Sequence, residues 1–183
     1  MGTIVQSFEE AALPHLNAAY NLARWLTRND RDAEDVVQEA YLRALQHFRS
    51  FQQGVDARPW LLAIVRNTYY TWIRHNRAPE LSAPFDEGTY AETPDDSDPE
   101  MLLLKKADKQ MLRRALEKLP ADFREIIVLR EFEELSYKQI ADVVDVPLGT
   151  VMSRLARARS RLGEIIANHR DKKTPDHLGV LTL

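Results

Sequence analysis

The stretch from residue 78 to residue 100, APELSAPFDEGTYAETPDDSDPE, limits the fold more than any other part of the chain. It holds four prolines (79, 84, 94 and 99), eight acids and no lysine or arginine. Proline removes backbone donors, like charges repel one another, and a segment so poor in apolar bulk cannot bury enough surface to offset its conformational entropy. It reads as a flexible acidic linker of net charge −8. A chain of 183 residues divided there must build its structure on either side, as one domain over residues 1–77 and a second over 101–170. The tail, 171–183, is polar and then briefly apolar and suggests no role. The plain role of the linker is a tether; a sharper one is to imitate nucleic acid or to mask basic surfaces on either side.

Both flanks carry apolar residues at helical spacing, so the fold class is all-α, two small helical domains. In the first, Phe8, Ala11, Ala12, Leu16, Ala19, Tyr20, Ala23 and Leu26 predict a helix over 8–28, with Pro14 as a kink or late start. Asn29-Asp30 breaks it. Asp32 is the expected cap of a second helix reaching about Phe48, with Val36, Val37, Ala40, Tyr41, Ala44, Leu45 and Phe48 inward. Asp32, Glu34 and Asp35 suit the positive end of its dipole, which is reason enough for them on stability grounds. A loop pivots on Gly54. A third helix then runs from Arg58-Pro59 to about Arg77, with Trp60, Leu61, Ile64, Val65, Thr68 and Trp72 inward and Arg66, Asn67, Tyr70, Arg74, His75 and Arg77 outward. Residues 57–79 hold four arginines and no acid. A basic helix with interleaved aromatics suits single-stranded nucleic acid, with charge for the backbone and ring faces for unstacked bases; for the tryptophans a core role fits better.

In the second domain, Leu102 to Leu119 predicts a helix ended by Pro120. Ala121 to Glu131 predicts another, with Phe123, Ile126, Ile127, Leu129 and Phe132 inside. Leu135 to Ile166 then reads as two helices around a tight turn, completing a four-helix domain. Ser136, with Gln139 three residues on, makes a capping box. Asp145 tolerates the left-handed turn better than most residues, and Pro147 suits the first turn of the last helix. Val151, Leu155, Ala158 and Leu162 form one buried stripe. The other faces carry Thr150, Ser153, Arg154, Arg157, Arg159 and Arg161, and residues 148–173 hold seven Lys and Arg against two acids. This is the helix-turn-helix design, whose second helix lies in the major groove where arginine grips phosphates or reads guanine edges. The plain alternative is a helical hairpin with solvated arginines. Against it stands the clustering of arginine with almost no acid to pair with.

Other chemistry finds little support. The chain has no cysteine, so disulfides and thiolate metal sites are excluded. The five histidines (15, 47, 75, 169 and 177) lack metal-ligand spacing. There is no Gly-rich phosphate loop and no nucleophile elbow. No apolar run approaches the ~20 residues that span a bilayer, and the N-terminus lacks a signal-peptide pattern. The expectation is a cytoplasmic binding protein, not an enzyme, with no cofactor, no metal, no membrane insertion and no small-molecule substrate.

Taken in order, these stretches resemble a bacterial RNA polymerase sigma factor of the sigma-70 family, in its small extracytoplasmic-function group (group IV). DAEDVVQEAYLRA (32–44) is similar to the helix that binds the polymerase clamp. RPWLLAIVRN (58–67) is similar to the helix that melts and reads the −10 element. LPADFREIIVLR (119–130), LSYKQIA (135–141) and PLGTVMSRL (147–155) are similar to the −35-reading domain. The resemblance runs from about Phe8 to about Asn168 and implies core RNA polymerase, promoter DNA and an anti-sigma factor as partners. It implies that Asp35, Gln38 and Glu39 dock on the polymerase. It implies that the loop from Phe51 through Gly54 to Ala57, with Asn67, captures a base flipped from the non-template strand, that Arg58 belongs to the same −10 site, and that Arg66 and Arg74 hold the backbone. It implies that Met152, Ser153, Ala156 and Arg157 face the −35 major groove, with Arg154 and Lys138 near phosphates. The linker would thread toward the RNA exit path.

Two positions depart from the family pattern. Asp145 stands where the family often has Gly, and Met152 where it often has Lys or Arg, which implies a −35 reading less directed at guanine. Two other readings compete. A sigma-like decoy that binds an anti-sigma factor without touching DNA could lose its basic faces, and here both helices keep their arginines. An ordinary helix-turn-helix repressor leaves the first domain unexplained.

Overall fold

In the computed structural model, residues 7–51, 54–76 and 99–171 are described. The linker, apart from Pro99 and Glu100, and the tail beyond residue 171 lie outside them. The described residues form helices and turns and no strand.

The first domain is built from α1 (Phe8–Ala12), α2 (Leu16–Thr27), α3 (Asp30–His47) and α4 (Ala57–Asn76). Ser7 starts α1 with a capping box whose other half is Glu10, a signal the sequence reading passed over. Pro14 splits the single helix expected over 8–28: it lies in a 3-10 turn, Leu13–His15, between α1 and α2. Arg28 closes α2 in the left-handed conformation, φ 59°. The cap of α3 is Asn29 rather than Asp32; its side chain accepts from the Asp32 N–H at 3.0 Å, so the helix begins one turn earlier than expected. Leu45, expected inside, is 54% exposed, because α3 turns it away from the stripe of Val36, Val37, Ala40 and Ala44.

The second domain holds α5 (Pro99–Glu117), α6 (Ala121–Ile127), α7 (Tyr137–Val144) and α8 (Leu148–Asp171). Pro120 is the N-cap of α6 and does not end α5, which stops at Glu117. After Ile127 the chain widens into a π turn, Val128–Phe132, closed by Glu133 N–H donating to the Val128 carbonyl at 3.0 Å. Phe132, expected inside, is half-exposed, with its ring against Trp25 of α2 at 5.7 Å between centroids. Pro147 precedes α8 and is not in its first turn; its carbonyl accepts from Thr150 and Val151.

The apolar cores of the two domains merge. Leu22, Leu26, Val36, Leu61, Leu62 and Val65 belong to one cluster with Leu116, Ile126, Leu129, Ile140, Val151 and Leu155. Across the boundary α2 packs on α6, and α4 packs on α7.

Asp145 holds φ 54°, ψ 55° at the end of α7, a conformation that costs an L-residue about 1–2 kcal/mol and glycine almost nothing. Asp145→Gly is therefore expected to raise stability by up to about 1 kcal/mol, and Asp145→Val to lower it by about 1–2 kcal/mol. Guanidinium unfolding midpoints check this; the reverse order would contradict it.

Candidate nucleic-acid and polymerase faces

The turn between α7 and α8 is built from its caps. Ser136 Oγ accepts from the Gln139 N–H at 3.2 Å, and Gln139 Oε1 accepts from the Ser136 N–H at 2.9 Å. Left-handed Asp145 returns its N–H to the Ala141 carbonyl. These contacts aim α8 so that Val151, Leu155 and Ala158 are buried. The opposite face carries Met152, 52% exposed, with exposed Ser153, Ala156 and Arg157. Arg157 Nε donates to the Ser153 carbonyl at 3.3 Å, which lays its side chain along the helix. Arg154 is half-buried and Lys138 of α7 exposed. Acid pairing is less scarce than expected. Arg159 Nε donates to Glu131 at 3.1 Å, which raises its pKa, and Arg161 pairs with Glu164 at 2.9 Å. Among the described residues neither Arg154 nor Arg157 meets an acid.

The loop before α4 rests on an aromatic base. The Phe51 ring is buried, 5.8 Å from Phe48 and 4.8 Å from Trp60, over Ala11 and Ala57. Phe51 thus supports the loop from below. Gly54 takes φ +85° with open space around it, which only glycine adopts without strain. Asp56 accepts from the Arg58 N–H at 3.0 Å and so starts α4. Asn67 and Arg74 are exposed, and Trp60 and Trp72 pack partly against the core.

Arg66 and Tyr70, expected to point into solvent, point into the second domain. Arg66 Nε and Nη2 donate to the two oxygens of Glu125 at 3.0 and 3.1 Å, and the Tyr70 hydroxyl donates to Glu125 at 3.1 Å. The Glu125 side chain is 1% exposed. Burial raises its pKa, with Arg66 and Tyr70 pulling the other way. Arg58 likewise donates to Glu133, whose side chain is 4% exposed and also takes Asn21 at 3.5 Å. Arg124 of α6, buried, donates to the Leu116, Glu117 and Leu119 carbonyls and, across the boundary, to Trp25 at 2.8 Å. Sequence reasoning missed Glu125 and Glu133. The available signal was a pair of carboxylates set among the apolar residues of one short segment, where charge needs a partner.

On the far side of the first domain, Asp35, Gln38 and Glu39 are exposed along α3, Glu39 pairing with Arg43 at 2.8 Å. Exposed Leu42 lies on the same helix. Beside Gln38 opens a groove of about 310 Å³ lined by Leu16, Asn17, Tyr20, Glu34 and Val37. Among the described residues no group of three metal-ligating side chains converges, and no helix is long and apolar enough to cross a membrane.

Comparison with known proteins covers both halves. The family described as sigma-70 region 2 matches residues 12–78, and sigma-70, region 4, matches residues 109–162. The chain is 33% identical over 164 residues to the ECF RNA polymerase sigma factor SigE of Mycolicibacterium smegmatis, covering 89% of this chain and 63% of that one. It thus spans a little under two thirds of that relative. It is 36% identical over 137 residues to the ECF RNA polymerase sigma-E factor of Escherichia coli (strain K12), covering 72% of each. The sigma factor EcfG of Rhodopseudomonas palustris is 36% identical over 85% of this chain and 81% of its own. Among solved structures, the sigma factor RpoE in complex with the anti-sigma factor NepR from Bartonella quintana aligns with a TM-score of 0.70 and 28% identity, over 89% of this chain and 98% of that one. CnrH, solved with the cytosolic domain of CnrY, shares the fold at a TM-score of 0.60 and 23% identity.

The aromatic base yields a prediction. Phe51→Ala is expected to destabilise the chain by about 3 kcal/mol, since a buried Phe leaves a cavity the loop cannot fill. Thermal unfolding checks it; a change within 0.5 kcal/mol, roughly that of an ordinary surface site, would contradict it.

Proposed function

The chain belongs to the sigma-70 family, in its extracytoplasmic-function group, and on that premise we propose that it is an alternative sigma factor that binds core RNA polymerase and directs promoter-specific initiation. The observation that carries the reading is α8, which buries Val151, Leu155 and Ala158 and leaves Met152, Ser153, Ala156 and Arg157 as one exposed face. That is the division of labour a major-groove reader requires. In this reading residues 1–77 bind the polymerase and open the −10 element, 78–100 link, and 101–170 read the −35 element. Arg154 and Lys138 hold phosphates there. Asp35, Gln38 and Glu39 dock on the clamp. Arg58, Arg66, Asn67 and Arg74, with the loop around Gly54, take the single strand, and Phe51 keeps that loop in shape. Catalysis belongs to the polymerase, and the site of action is the cytoplasm. The likeness to an RpoE solved with its anti-sigma factor, over 98% of that chain, supports a partner of the same class here.

Purified protein added to core polymerase should start transcription at a subset of promoters on genomic templates; no initiation on any template would contradict the reading. Arg157→Ala is expected to weaken duplex −35 binding by about 1–3 kcal/mol and spare core binding. Asp35→Ala with Glu39→Ala should do the reverse, as measured by titration against core.

Met152 sharpens the −35 expectation. With Leu148 and Ala156 it forms an exposed apolar line at i, i+4 and i+8. The apolar group a major groove offers is the thymine methyl. Replacing thymine by deoxyuridine in a bound −35 duplex should cost the wild type about 1 kcal/mol per contacted methyl. Met152→Ala should lose that sensitivity. A wild type indifferent to uracil would overturn this assignment.

A further inference from the structure

Met152 sets an exposed sulfur in the outward face of α8. The residue is 52% exposed, between Leu148 at 48% and exposed Ala156 on one line of the helix. The other methionine among the described side chains, Met111, is half-buried on α5. The chain has no cysteine, so no thiolate stands ahead of a thioether in the path of a two-electron oxidant. Gly149, one turn before Met152, adds no side chain and faces open space. The residues three and four positions away on either side are Leu148, Gly149, Leu155 and Ala156. None carries a side-chain donor, so an oxygen placed on the sulfur finds no partner at that spacing.

We propose that Met152 is a modification site: oxidation to methionine sulfoxide by an oxidant of the hypochlorous acid class weakens the duplex grip of α8, and reduction by a dithiol restores it. The proposal rests on the −35 reading of α8. Overall, the oxygen–chlorine bond of the oxidant breaks and one sulfur–oxygen bond forms. The sulfur gives up two electrons, chloride carries them away, and the hydroxyl proton goes to water. In the return step the sulfoxide oxygen takes both thiol protons and leaves as water, and the two thiols become a disulfide. The thioether is apolar and suits a thymine methyl. The sulfoxide is an acceptor without a donor, and pressing it against that methyl leaves its lost hydration uncompensated. It also meets groove edges rich in acceptors, N7 and O6 of guanine and O4 of thymine. Bound DNA covers the same sulfur, so the oxidant acts on the free chain.

The test uses the full-length wild type and Met152→Leu, which is apolar but has no sulfur at that position. A fluorescent duplex is selected from a random pool by the untreated wild type. Each protein is treated with equimolar hypochlorite and quenched, and peptide masses locate the added oxygen. Each is then compared with its own untreated form, so any difference in starting affinity drops out. Wild type carrying one oxygen on Met152 should bind the duplex about tenfold more weakly, the effect of one buried acceptor left unpaired. Methionine sulfoxide reductases with a dithiol should restore it. Met152→Leu, which keeps Met1, Met101 and Met111, should show the same affinity before and after treatment. Unchanged binding by wild type fully oxidised at Met152, or an equal loss in Met152→Leu, would overturn the proposal. Saturating duplex should slow oxygen uptake at Met152; equal rates with and without it would also overturn the proposal. Failure of the untreated wild type to select any duplex would instead overturn the −35 reading and the proposal with it.

Discussion

Glu125 lies in a low-dielectric pocket shared by both domains, with its oxygens taken by Arg66 and Tyr70. Its pKa is raised, so desolvation outweighs the attraction of its partners. A buried ion pair of this kind adds little to stability. Well-packed apolar residues would hold the domains at least as firmly, whereas removing one partner alone leaves a buried charge that costs about 3–5 kcal/mol. What the pair contributes is selectivity. It fixes which helices meet and in which register, and Glu133 with Arg58 fixes the same register two turns away. The merged apolar core supplies the cohesion, and the two carboxylates decide the alignment.

The placement of these groups traces back to helix ends. The Asn29 cap starts α3, and Arg28 in the left-handed conformation turns α2 toward it and donates to Glu117. The Pro120 cap starts α6 so that Arg124 reaches the carbonyls at the end of α5 and the Trp25 carbonyl of α2. The π turn after Ile127 then brings Glu133 against Arg58. Such one-turn irregularities often mark functional positions. On the other side, the Ser136 capping box and left-handed Asp145 aim α8 outward. One set of caps therefore brings Arg58 and Arg66 against the second domain and leaves Met152, Ser153, Ala156 and Arg157 exposed.

Much of this was legible in the residues. The capping box at Ser136, the left-handed Asp145 and the buried stripe of α8 follow from local chemistry and short spacing, and each stands as expected except at Leu162, which is only half-buried at the end of the stripe. Tertiary choices were harder to read. Leu45 fits an apolar period yet faces out, because the period alone does not say how wide the buried stripe is. Asn29 and Asp32 are both good caps, and the geometry at the end of α2 selects Asn29. Arg66 and Tyr70 were expected in solvent because a basic helix looks solvated until its partner is known. That partner lies 59 residues away, across a linker that periodicity cannot bridge. The resemblance supplied the family and the expected partners, while the contact between the domains came only from the folded chain.

The docked arrangement is tested most directly by one distance. The chain has no cysteine, so spin labels at cysteines introduced for Gln46 and Asn168, both exposed, report a single pair by pulsed dipolar spectroscopy. The free protein should give one narrow distance set by the ladder of Arg58, Arg66, Glu125 and Glu133, and core polymerase with promoter DNA should replace it with a longer one. A broad distribution in the free protein, or the same narrow distance in the promoter complex, would contradict the account.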